Sequence, residues 1–335
     1  MQKLLLKSLL FFVIIIGLIT YTSLFIPKSD PDSYLAILND KHRIADSIKT
    51  PKLILVGGSN LGFGLNSKIL RKEIGIPTAN LGLHAGLGLD FMLNQAKFVA
   101  KENDIILLSI EYQLDLIGNY NLKRHTSDVY SYAHLFYEQS FCLDFEDNLS
   151  DSRRAYEDYV NTKFNFAKKI LRQILGKPLK IPISTIQASK ANPYSRKAIN
   201  SDADVVAHLE EPFMGILARD ALMNYRYWKG IARINEFASE MKKKNVTVFF
   251  VFPNYPQKDY IVNKQVILLL EKDLRANLTV GILGSPAAFL YPDDHFYDTL
   301  YHLNKIGHKK RTEDLAALIK NTPAMLKAIE RIRRL

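Results

Sequence analysis

The sequence predicts an α/β protein built on a parallel sheet. Two observations predict it. Short, wholly apolar runs, Leu53-Ile-Leu-Val56 and Ile105-Ile-Leu-Leu108 among them, alternate with segments of helical spacing, and glycine or polar residues follow the runs. Strands buried on both faces read as unbroken apolar runs, and their alternation with helices implies a parallel sheet covered on both sides. Ligands of such sheets bind beyond the carboxyl ends of the strands, so the residues to inspect are those that follow each run.

In chain order, the first strand, Leu53–Val56, ends in Gly57-Gly58 and feeds a tight turn. Ser67 to Ile74 is helical, Thr78 to Leu83 is a second strand, and Leu89 to Ala100 has helical spacing of Phe91, Leu93 and Phe98. Asp104 to Tyr112 is a third strand. An insert, residues 113–212, then interrupts the alternation; it is rich in Tyr, Phe and charge, with helical stretches such as Tyr156 to Leu175. An insert of this length predicts a helical cap. Arg219 to Lys244 is helical, Val246 to Phe252 is a fourth strand, Val262 to Asn277 a helix, Leu278 to Leu283 a fifth strand and Asn304 to Ile319 a helix. The resulting organisation is an anchor over residues 1–28, a polar stem over 29–51, an α/β domain over 52–320 and a basic tail helix over 321–335.

The chain has 335 residues, 47% of them hydrophobic and 24% charged, which excludes wholesale disorder and collagen-like or low-complexity architectures. Its net charge is 45 − 34 = +11. The basic residues are dispersed, with clusters at Lys242-Lys243-Lys244, Lys309-Lys310-Arg311 and Arg331, Arg333 and Arg334, and read as solvated surface. Nucleic-acid binding would require a recognisable module, and none is present; an anionic membrane or polymer is the more economical partner for the charge. Cys142, the only cysteine, excludes an internal disulfide framework and a cysteine-rich zinc site. The histidines form no ligand pair, and Asp293-Asp294-His295 reads as a solvated loop, so no metal and no cofactor are expected.

Ser8 to Ile26 runs 19 residues without a charge, behind Lys3 and Lys7. As a helix it would be roughly 28 Å long, close to the hydrocarbon thickness of a bilayer. A cleaved signal peptide would have a shorter apolar core and a small-residue cleavage site, which Tyr21-Thr22-Ser23-Leu24-Phe25-Ile26 does not supply. An uncleaved single-pass anchor with its N-terminus inside and the rest of the chain exported is the expectation.

Chemistry concentrates in two places. Gly57-Gly58-Ser59-Asn60 stands where strand one turns, and glycines there lift the serine hydroxyl above the sheet. Alone, this reads first as a structural turn; a phosphate loop fails because no Gly-Lys-Ser/Thr follows. Near the other end stands Asp298-Thr-Leu-Tyr-His302-Leu303-Asn304-Lys-Ile-Gly307. A hydroxyl is a poor nucleophile until a base takes its proton, and the base needs an orienting acceptor; His302 and Asp298 supply both if they reach the rim where Ser59 sits. Asp298 and His302 as an ordinary surface pair at i, i+4 is the competing reading.

A strand-one Ser in a glycine turn, a glycine after strand two and a late Asp/His-Leu-Asn-x-x-Gly resemble the SGNH (GDSL-type) hydrolase superfamily. More closely, the residues resemble its membrane-anchored branch in O-acylation of cell-surface polymers, such as alginate O-acetylation proteins and the D-alanine transfer protein of teichoic acids. The resemblance covers residues 52–112 and 220–320. It implies a flavodoxin-like three-layer fold, Ser59 as nucleophile, His302 as base and Asp298 as its partner. Backbone N–H groups near Ser59, at Asn60 and at Gly82, would hold the oxyanion; apart from the resemblance, Asn254 after strand four reads either as a further amide donor or as a structural cap. Three departures stand out. Gly58 occupies the place of the family's Asp. Asp298 is four residues before His302 rather than three, which leaves Asp294 or Asp293 as alternative partners. Glu111-Tyr112 replaces the Gly-x-Asn-Asp that follows strand three.

The expectation is thus an exported, membrane-anchored serine acyl-transfer enzyme, an O-acetyltransferase or esterase. It would act through acyl-Ser59 on a surface glycan or other hydroxyl acceptor, with a polytopic membrane acyltransferase as possible partner. A non-catalytic glycan-binding or scaffold protein is the alternative. A lipid esterase, with Tyr130, Tyr132, Phe136 and Tyr137 lining an apolar slot, is a third reading; the same rings could stack on sugars or pack the cap.

Overall fold

The structure, a computed structural model, describes residues 2–25, 30–140, 143, 153, 192–211, 213–216 and 224–334. The chain divides into two compact units, Met1–Asp30 with Gln139–Ser189, and Pro31–Glu138 with Lys190–Leu335.

In the first unit, Gln2–Phe25 is a helix of 24 residues, about 36 Å at 1.5 Å per residue. Its described apolar side chains, Leu4, Leu9, Phe11 and Ile14 among them, are exposed apart from a half-buried Ile15. Its side chains at 18–20 and 22–25 lie outside the described residues. Over what is described, no helix is long and apolar enough to cross a membrane, so the expected anchor gains no support here. Cys142 and the expected helix Tyr156 to Leu175 also lie outside the described residues.

The second unit is a mixed α/β body. Its strands are β1 (Leu53–Gly57), β2 (Thr78–Asn80), β3 (Ile105–Ser109), β4 (Thr247–Val251), β5 (Tyr255–Pro256), β6 (Gly281–Leu283) and β7 (Leu290–Tyr291). Five of them form one parallel sheet in the order β2-β1-β3-β4-β6, and β5 and β7 make a small parallel pair of their own. Counting only the strands of the large sheet, this is 2-1-3-4-5, a doubly wound order whose direction reverses between β1 and β3.

Alternate residues of each strand face opposite sides. Ile54, Val56, Ile106, Leu108, Val248 and Phe250 pack with Met92, Ile234, Met241 and Leu270 from the helices Leu89–Val99, Gly230–Lys243 and Gln257–Asn277. Leu53, Leu55, Ile105, Leu107, Phe249 and Val251 pack with Leu70, Leu315, Ile319 and Ile329 from Ser67–Ile74, Lys305–Lys320 and Pro323–Arg333. The result is three layers, helices on both faces of the sheet.

Four expectations need correction. Residues 29–51 are no polar stem: Ile37–Ser47 is a helix whose Ile37, Leu38, Lys41, His42 and Ala45 are buried at helical spacing against the body. The tail helix belongs to the core, since its own Met325 and Ile329 are buried against the sheet's apolar cluster. The helix expected from Arg219 begins at Gly230, after the described residues 224–229, where the Trp228 ring lies so close over Gly230 that a Cβ there would strike it. Finally, the front of the insert belongs to the body. The helix Tyr120–Val129 and the turn Ser131–Phe136 join a third apolar cluster with Ile37, Leu38, Phe63, Leu87 and Phe91. Phe136 is buried among Phe91, Phe98 and His42, and Tyr130 Oη lies 2.9 Å from His42 Nδ1. These aromatic residues pack the cap.

Candidate functional site

β1 delivers Ser59 to the carboxyl rim of the sheet beside the point where the strand order reverses. A single turn of helix, Ser59–Gly62, follows, and Phe63 N–H closes it on Ser59 O at 2.9 Å. Ser59 is half-buried, and among the described residues its hydroxyl has no hydrogen-bond partner, His302 included. Everything around it is committed. Asn60 is fully buried: its N–H donates to Glu111 Oε1 at 3.1 Å and its side-chain amide to Ser109 O at 2.9 Å.

Glu111 and Gly58 explain two of the departures together. The Gly58 N–H donates to Glu111 Oε2 at 3.2 Å, and a Cβ at position 58 would strike that carboxylate. The Glu111 side chain fills the volume that a motif aspartate at 58 would need. Gly58 is glycine because of close approach, its φ of −88° being open to any residue.

Below the turn lies Arg311, 1% exposed. Its guanidinium donates to Asn60 O and Asn254 Oδ1, to Asn60 Oδ1 at 2.8 Å and to Ser109 Oγ at 3.0 Å. It also stands over the Phe289 ring at 5.9 Å. Burial pulls its proton affinity down to about 10, against the supporting charge of Tyr291 and Glu111. Arg311 thus ties the Ser59 turn to β3 and to the residue after β4. It is no part of a solvated basic cluster.

His302 and Asp298 come from the loop between Phe296 and Leu303, whose ends pair as an antiparallel bridge. His302 Nδ1 and Asp298 Oδ1 are 2.8 Å apart, with both residues buried. Asp298 is therefore the partner of His302. Asp293 pairs with Lys258 at 3.1 Å, and Asp294 accepts from Asn304 Nδ2 through its backbone oxygen. Burial pushes the Asp298 carboxyl up, but hydrogen bonds from His302 and Tyr194, aided by charge from His302 and His208, overcome it and hold the group below its ordinary value.

The His-Leu-Asn-x-x-Gly stretch has local reasons. Asn304 caps the helix Lys305–Lys320, accepting from Ile306 N at 3.0 Å and Gly307 N at 3.2 Å. A side chain at Gly307 would strike His295 O, and Leu303 is fully buried. Together these aim the preceding His302 at the sheet rim. The early and late motifs then meet through Phe63, whose ring lies face to face with His302 at 4.1 Å and 10°. Phe63 is one helical turn past Ser59.

The expected oxyanion donors are otherwise engaged. Gly82 N–H donates to Asn80 Oδ1 at 3.0 Å, and Gly82 is glycine because a Cβ would strike Leu61. Asn60 N–H is held by Glu111, and Asn254 Nδ2 donates to Tyr301 O at 3.1 Å. Asn254, with Asn60, serves the Arg311 network rather than an open cavity. Sequence reasoning also missed Tyr194, whose hydroxyl donates to Asp298 Oδ2 and lies 3.2 Å from His302 Nδ1. It sits inside the long insert, where nothing in the local pattern marks one tyrosine among many.

Among the described residues no group of three or more His, Cys, Asp or Glu is placed to hold a metal ion. No family model and no curated protein matches the chain.

Proposed function

We propose that this chain is a serine acyl-transfer enzyme of the SGNH type, with Ser59 as nucleophile and the His302–Asp298 pair as its base. The observation that carries the reading is a hydroxyl without a partner among the described residues at the reversal point of a parallel sheet, one helical turn before the ring that stacks on an imidazole a carboxylate already orients. An ionised Asp298 only accepts, so it holds the proton of neutral His302 on Nδ1 and leaves Nε2 as the acceptor. Nε2 takes the Ser59 proton as Oγ attacks the acyl carbonyl. The proton passes to the departing donor group, leaving acyl-Ser59. An incoming hydroxyl, on a surface glycan or of water, then repeats the step in reverse order. Hydrogen bonds of this kind often close only with substrate bound.

The apolar run Ser8–Ile26 supports an exported, membrane-anchored setting, in which a polytopic acyltransferase would supply acyl groups. In full-length protein, activated acetyl ester should be cleaved, and Ser59→Ala should lower kcat at least about a thousandfold while leaving Tm unchanged. Unchanged turnover in that variant overturns the reading.

A second reading, a non-catalytic glycan-binding module, is favoured by the engaged state of Gly82 N–H, Asn60 N–H and Asn254. A fluorophosphonate probe separates the two: labelling of Ser59 supports the enzyme, and no labelling together with glycan binding supports the module.

A further inference from the structure

We propose that Tyr194 is a positioning residue for the His302–Asp298 pair, braced by the segment that leads into the body, Asp32 to Asp40. The inference rests on the acyl-transfer reading for its catalytic consequence, and on the contacts alone for its structural one.

An aspartate that orients a histidine through one oxygen keeps a second oxygen and a freely turning carboxyl group. Here Oδ1 receives His302 Nδ1–H at 2.8 Å, and Oδ2 receives the Tyr194 hydroxyl. With both oxygens held, the carboxylate cannot rotate, and the imidazole plane follows it. The tyrosine ring is itself fixed. It packs against Phe63 at 5.4 Å and Tyr34 at 6.0 Å, so the ring that stacks on His302 also holds its helper.

The backbone around Tyr194 is fastened to one place. Ser195 bridges Ser33, Ser195 Oγ donates to Asp32 O at 3.1 Å, and Arg196 N–H donates to the same oxygen at 2.8 Å. Arg196 then forks onto Asp40, Nε to Oδ2 at 2.6 Å and Nη2 to Oδ1 at 3.2 Å. A planar fork of this kind fixes direction as well as distance. Tyr194 is 41% exposed, yet its hydroxyl is spent on a buried carboxylate rather than on water. The other titratable groups that bear on Asp298 are His302, His208 and Tyr297.

The test uses full-length protein carrying Tyr194→Phe, which keeps the ring and removes the hydroxyl. Carbon-detected titration of labelled aspartates, with Asp298→Asn for assignment, should show the Asp298 carboxyl titrating at higher pH in the variant. Ester cleavage should lose about ten- to a hundredfold in kcat, the worth of one hydrogen bond to a charged group, with KM unchanged. Arg196→Met should shift both readouts the same way by less, and it serves if the tyrosine variant fails to fold. An unmoved Asp298 titration in folded Tyr194→Phe overturns the proposal. A moved titration in a protein whose wild type cleaves no ester leaves Tyr194 as the clamp of the pair and removes the acyl-transfer reading instead.

Discussion

At the amino end of the sheet, Lys52 and Asp104 lie fully buried and 3.0 Å apart, and the carboxylate also accepts the backbone N–H groups of Lys52 and Lys101 at 2.9 Å each. At the carboxyl end, Arg311 and Glu111 are just as deeply buried, but they do not touch one another; each holds the Ser59 turn from its own side, through Asn60 and Gly58. The first arrangement closes on itself and leaves nothing over. The second spends a cation and an anion on holding a turn whose hydroxyl stays uncommitted. Buried charge at one end serves architecture, and at the other it fixes the position of the hydroxyl proposed as nucleophile.

The largest effect should separate the two ends directly. Arg311→Met strips donors from Asn60, Asn254 and Ser109, for about 3–5 kcal/mol of stability at roughly 1–3 kcal/mol per buried acceptor left unpaired. Lys52→Met isolates Asp104 for a similar cost. In urea unfolding the two variants should look alike. In ester cleavage per folded molecule they should not: Lys52→Met keeps wild-type kcat and Arg311→Met loses it. Equal kcat in both breaks the comparison.

Acid should expose a second contrast. Burial, the largest cause in each case, pulls His42, His208 and His308 down to about 4. Their folded values lie below the unfolded value near 6.5, so the unfolded chain binds more protons between those limits. Stability is fully present above about pH 6.5 and is lost as pH falls toward 4, by up to about 1.4 kcal/mol per pH unit for each group. Asp298, depressed from its ordinary range, adds its loss only at lower pH. A urea midpoint that stays flat from pH 8 to pH 5 contradicts this.

The smallest effect sharpens the carboxyl end itself. Gly58→Ala pushes a methyl into the Glu111 carboxylate and should cost about 1–3 kcal/mol. With Glu111→Ala the two losses should fail to add by at least about 0.5 kcal/mol. Strict additivity in that double-mutant cycle would mean the two positions do not share a space.

The strands β1, β3 and β4 were legible because burial on both faces leaves four consecutive apolar residues in each. Asn304 was legible as the start of the last long helix because a cap has a chemical identity. Arg311 was hidden by its neighbours, since Lys309 and Lys310 make the local composition look solvated. Helical spacing from His308 to Thr312, Leu315 and Ile319 does put position 311 on the buried face. The helix Ile37–Ser47 was obscured in the same way, its inward Lys41 and His42 lowering the apolar count of the face they belong to. Tyr194 was beyond reach for a different reason: its partners are 104 and 108 residues away in sequence, and a contact of that range leaves no periodic trace. The occupied Gly82 and Asn254 were invisible likewise, because a motif reports which donors exist and not whether they are already spent.

The volume shared by Gly58 and Glu111 has a consequence for descent. Position 58 cannot take a side chain while Glu111 stands: a sequence with an acid at 58 must surrender the one at 111. Close relatives of this chain should therefore inherit the two sites as a linked couple, exchanged together or kept together.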